Sequence, residues 1–337
     1  MRKLLALLLI TLISCKESEE ISQVMTPALV TANGGDNSLS FIDPNTMEEK
    51  QRIYLKAPRA TYLHHLGLSP QADKIALAFP EYDFSEGHDG LHNLQVQGHV
   101  SVWNKASNKL ENTYTVPYAN HNAVFSPDGK EIWTGLVSHS GRILVHSALD
   151  GSQLATITVG ADPHEILFAN EGRYVVVTCL ESSFLTVIDA QTKKVIRDIK
   201  VDPFPTNVWP GRDTYHVIVE NSTQKTINII DLRSFQVIDH LDLDFAPGYS
   251  AFDEEGNLWI CTKGQNYLRK FRKADDSWKE IQKIKTHHDP HQFLIFASKL
   301  WLVNQKQNTV QIIDLKTGDI TGSISVGLKP NAIIYMP

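Results

Sequence analysis

Cysteine is scarce in this chain, with three residues in 337, at positions 15, 179 and 261. Cys179 and Cys261 lie in separate strand-like runs, YVVVTCL and LWICTK. Two isolated thiols build no disulfide framework, so two buried free cysteines are expected. The pattern Cys-x-x-Cys-His is absent, which excludes a covalently attached haem. Basic stretches are missing as well: 32 Lys and Arg stand against 38 acidic residues, a formal charge of −6. Nothing in the sequence can neutralise a run of phosphates, and duplex nucleic acid is excluded as a partner. No apolar run approaches the roughly 20 residues of a membrane-spanning helix. Gly-x-Ser-x-Gly, His-Glu-x-x-His and phosphate-cradling glycine loops are all lacking, so no hydrolase, zincin or nucleotide site is written locally. Long amphipathic patterns of period 3.6 are missing too.

What is present begins at the N-terminus. MRKLLALLLITLISC has a basic start, an apolar core from Leu4 to Ile13 and a small residue before Cys15, the layout of a secretory signal. Leu12-Ile13-Ser14-Cys15 resembles the lipobox of bacterial lipoproteins, which implies that residues 1–14 are removed and Cys15 is acylated. Residues 15–26, opening with KESEE after the cysteine, read as a polar tether. The expected location is extracytoplasmic, lipid-anchored, at the periplasmic or surface face of an outer membrane. The membrane is the partner that the anchor implies.

Residues 27–337 repeat. Segments in which a turn-like residue precedes an apolar run begin at His64, His121, His164, Pro205, Gly248, His291 and Asn331, with spacings of 57, 43, 41, 43, 43 and 40 residues. Each unit then passes through an Asp/Gly/Asn-rich turn (SPDGK, ANEGR, DEEGN), a second strand, and a third ending in Asp (LTVID, INIID, VQIID). Short β-branched runs between such turns are strands. Four strands per unit of about 40 residues predict an all-β, seven-bladed β-propeller with four-stranded blades. The last unit holds one strand, while PALVTAN, LSFID and KQRIYL supply three at the N-terminus. A 1+3 seam between the C- and N-terminal strands is therefore expected to close the ring. Asp43, Asp189, Asp231 and Asp314 recur too regularly for one active site and read as turn formers. Asn33, Asn221 and Asn304, closing second strands, are expected to satisfy turn backbone.

VTANGGDNSLSFID, VVVTCLESSFLTVID and VNQKQNTVQIID resemble the YVTN-type repeats of extracytoplasmic propellers. That superfamily includes the d-haem domain of cytochrome nitrite reductases, the nitrous oxide reductase propeller and lactonases, so the resemblance implies the fold and leaves the activity open.

Four of the seven anchors are histidine, and these would lie at one mouth of the central channel. His64, His65, His121, His164 and His291 are the candidate metal- or cofactor-binding residues. His88 and His92 on the long first-unit loop, His139 on the next and His288 before the last anchor are possible contributors. Neutral imidazoles from separate rigid strands can surround one ion, copper or zinc, or ligate a non-covalent haem. His64-His65 with later single histidines resembles part of the imidazole cage of nitrous oxide reductase, but Pro205, Gly248 and Asn331 fill the other anchors. A complete reductase of either type is excluded. Asp83, Glu86 and Asp89 read as a mobile acidic loop, and His99, His146, His216 and His240 as structural. The expected function is a lipid-anchored propeller binding a metal, haem-like cofactor, small molecule or partner protein at a histidine-ringed mouth. The alternatives are a propeller enzyme, lactonase-like or a metal-dependent oxidoreductase, using the same mouth, and a structural envelope protein.

Overall fold

The computed structural model describes residues 23–56, 61–87 and 95–337. Cys15, His88, His92 and Asp89 lie outside the described residues. Twenty-eight strands, β1 to β28 in chain order, form seven antiparallel four-stranded sheets. β4 to β27 supply six blades in sequence. The remaining blade has the order β28-β1-β2-β3, in which β28 (Pro330–Met336) pairs with β1 (Ala28–Asn33) from Ala28↔Met336 to Ala32↔Ala332. The ring is closed by the expected 1+3 seam, which ties the two ends of the described chain together through strand pairing. Here the seam blade is blade one, and β4–β7 open blade two.

Alternation along the second and third strands sends apolar side chains to both faces of each blade, where they meet the next blade. Trp103, Trp133, Trp259 and Trp301 are fully buried there; an aromatic of this size buries about 150–250 Å². Asp43, Asp189, Asp231 and Asp314 each accept a hydrogen bond from a backbone N–H two or three residues on, as turn formers do. Asn33 instead donates to Ser38 Oγ and Ser40 Oγ at 3.0 and 2.8 Å, so it ties the next strand rather than the turn. Cys179 and Cys261 are free and buried.

The inner strands set the mouth. They are β4 (His64–Leu68), β8 (Val124–Phe125), β12 (Pro163–Ala169), β16 (Asn207–Pro210), β20 (Pro247–Phe252), β24 (Pro290–Phe296) and β28. β4, β12, β20 and β24 carry a register irregularity at or next to the anchor. Tyr62, Asp162, Phe204, Asp289 and Lys329 all have positive φ, and each lies two residues before an anchor. This fixes the fifth blade's anchor as Thr206. The sequence reading placed it one residue early, at Pro205, which is the equivalent of Pro163, Pro290 and Pro330. Gly67 in β4 has no room for a Cβ, which would collide with the Ala123 carbonyl. Blades two and three are thereby brought close together directly beneath the histidines.

Candidate metal centre

A regular strand would send His64 and His65 to opposite faces. The irregularity between His64 and Leu66, with His65 at φ 56°, turns both rings to the same side. His121 arrives from the neighbouring blade. The ring centroids lie 4.3 Å apart for His64–His65, 4.4 Å for His64–His121 and 4.8 Å for His65–His121. Each of the three offers a nitrogen within 4.8 Å of the others. His164 packs on His121 at 3.7 Å, and His291 lies 6.3 Å from His64. All five sequence candidates thus meet in one cluster.

Hydrogen bonding orients the rings. His64 Nδ1 lies 2.9 Å from the His121 carbonyl oxygen. A carbonyl only accepts, so Nδ1 carries the proton and Nε2 presents its lone pair. His121 Nδ1 lies 2.9 Å from Glu165 Oε2. Glu165 also receives Asn122 Nδ2 and stands 3.9 Å from His65 Nε2. Asn331, the seam-blade anchor, accepts from His65 N–H and donates to the Leu63 carbonyl at 2.6 Å, fixing the backbone beneath the pair.

Burial dominates the electrostatics. It lowers His65 to about 3, helped by His291 and His164, and lowers His164 to about 3, helped by Lys263. His64 is pushed well below the imidazole range, again mainly by burial. These rings are neutral at ordinary pH and so in the form that ligates metals. Burial pushes the Glu165 carboxyl well above its usual range, opposed by Asn122. Among the described residues its only ion-pair-distance neighbours are His65 and His121. A cation among the imidazoles would favour its ionised form.

Phe84, 6% exposed, packs on the cluster, with its ring 5.0 Å from His64 and 5.4 Å from His121. Phe84 opens a short 3-10 turn capped by Asp83. Lys329 pairs with Asp83 and donates to Ser85 Oγ at 3.0 Å. His99 pairs with Glu81 at the root of the same loop. The segment expected to be a mobile acidic loop is therefore pinned over residues 81–87.

A cavity of about 250 Å³, reaching from Phe84 over blades five, six and seven, lies against the imidazoles. His64, His65, His121 and His291 border it, as do Trp209 and Tyr249. Glu220 reaches the wall with its oxygens occupied by Asn207 Nδ2, Trp209 Nε1 and Ser222 Oγ.

His139 and His288 do not join the cluster. His139 pairs with Glu181, its side chain 67% exposed, and exposed His288 meets Asn266 at 3.2 Å. Sequence reasoning missed Glu165 and Phe84. Glu165 follows His164 directly in DPHEILF, where simple alternation assigns it to the opposite face. Phe84 lies in the one loop without a counterpart in other units.

No protein-family model matches the chain, and no curated protein sequence does. Solved structures do match. A putative 6-phosphogluconolactonase from Bacteroides fragilis shares 16% identity at a TM-score of 0.71, over 92% of this chain and 98% of that one. The periplasmic gluconolactonase PpgL of Pseudomonas aeruginosa shares 13% at 0.69, over 92% and 99%. Dihydro-haem d1 dehydrogenase NirN, solved in complex with DHE, shares 12% at 0.65, over 92% and 75%. At such identities the likeness establishes the propeller fold; function must be argued from the site.

Proposed function

We propose that this propeller binds one transition-metal ion, copper or zinc, through His64, His65 and His121. The carrying observation is the orientation of two of these rings: Nδ1 of His64 is tied to a carbonyl and Nδ1 of His121 to a carboxyl. With Nδ1 engaged in each ring, Nε2 is the nitrogen each would present to an ion, and such outer partners are what fix ligating imidazoles in metal sites generally. The three nitrogens lie within 4.8 Å of one another and would have to draw closer to reach an ion at the usual 2.0–2.1 Å or so. His164 and His291 extend the cluster, and Glu165 supplies compensating charge. Imidazole sets suit copper and zinc equally. A flat tetrapyrrole is less well served, because the cavity beside Phe84 and the imidazoles holds only about 250 Å³.

The test is metal analysis of the untagged protein alongside His121→Gln. One copper or zinc per wild-type chain and markedly weaker retention in the variant, with an unchanged fold, is the expected result. A wild-type protein that takes up neither ion would contradict it, and a Soret band on haem titration would move the reading to haem. The lipobox-like segment ending at Cys15 supports a location outside the cytoplasm. Cys15→Ala is expected to release the protein from the membrane fraction; retention with normal cleavage would contradict anchoring there.

A further inference from the structure

The ring of anchors is lopsided. Blades two, three, four and seven contribute imidazoles, blade one contributes Asn331, and blades five and six contribute Thr206 and Gly248. The cavity lies where histidine is missing. Gly248 and Gly264 put no side chain into it, while Trp209 and Tyr249, with ring centroids 4.7 Å apart, form an apolar wall. His64, His65 and His121 all border the cavity, and Phe84 lines it beside them. A metal held by three rings would thus have a coordination position open toward this cavity, the arrangement of substrate-binding rather than structural sites.

Charge narrows the ligand. Lys263 and Lys306 border the cavity against Glu220 and Asp289, which balances to zero. The two charges of a metal dication then make the wall positive. Glu220 is already saturated by three donors. The Lys263 side chain has no ion pair or hydrogen bond among the described residues, and its charge is felt by His164 and His291 inside the ring. A volume of about 250 Å³ lies just below the usual range of ligand pockets, roughly 300–1,000 Å³, so the occupant is small.

We propose that the cavity over blades five and six binds a small carboxylate with a planar apolar body, its charged end shared between the open metal position and Lys263, and its body against Trp209 and Tyr249. The inference rests on the metal reading above. The full chain loaded with cobalt(II), whose visible bands report the ligand set, is titrated with benzoate, and with neutral benzamide as control. Benzoate should shift the bands saturably and benzamide should not. Lys263→Met should weaken benzoate about tenfold, the scale of one hydrogen bond to a charged group, with cobalt stoichiometry unchanged. If cobalt binds but benzoate leaves the bands unmoved, or Lys263→Met titrates like wild type, the carboxylate site is overturned and the metal site stands. If no cobalt binds, both fall.

Discussion

Buried imidazoles couple the stability of this protein to pH. An unfolded histidine takes up a proton near 6.5, whereas His65 and His164 in the fold do so only at about 3. Between those values the unfolded chain holds more protons than the folded one, so stability rises with pH across that window and is lost as pH falls below 6.5. At pH 5 each of these two groups should cost about 2 kcal/mol relative to pH 7.5. The metal-free protein should therefore melt progressively earlier from pH 6.5 downward, and His164→Gln should flatten that dependence. A melting temperature that is level from pH 7.5 to 5 in both proteins would contradict burial of neutral rings. Four of the five clustered histidines were identifiable from their recurrence at blade starts, and His65 as the neighbour of His64. Glu165 was not, because a backbone irregularity between Pro163 and Ile166 cancels the alternation by which strand faces are inferred.

At the scale of elements, the blade pattern could be read because each strand has a period of two and each turn its own Asp or Gly. Positions within a blade were harder. Thr206 was displaced by one residue because the signal that marks an anchor is a positive φ two residues earlier, and Phe204, unlike Asp162 or Asp289, gives no hint of it. The seam follows from strand count, and its strength can be measured. Deleting Asn331–Pro337 removes nearly all of β28, including buried Ala332, Ile333 and Met336. The contacts of Asn331 with Leu63 and His65 go with it. Two large buried apolar side chains and a strand ladder together contribute about 5 kcal/mol or more. The truncated protein should unfold at markedly lower denaturant concentration, and an unchanged midpoint would place closure elsewhere.

Across the whole molecule, the propeller converts repetition into convergence. Residues 64, 121, 164 and 291 are far apart in sequence, and closure of the ring sets their rings side by side at one mouth, beside a cavity that Phe84 also lines. The closed ring pre-orients the ligands, so little side-chain entropy remains to be lost when an ion binds. Repeats reveal the ring and its histidines. The ligand stays hidden in the sequence, since it depends on nitrogen orientation and on what fills the channel beside them. The most direct measurement is X-ray absorption at the metal edge of the untagged protein, with copper or zinc added stoichiometrically. Three imidazole nitrogens in the first shell, falling to two in His121→Gln, are predicted. A spectrum of a fully hydrated ion, or one unaltered by that substitution, would contradict the assignment of His64, His65 and His121 as a metal centre.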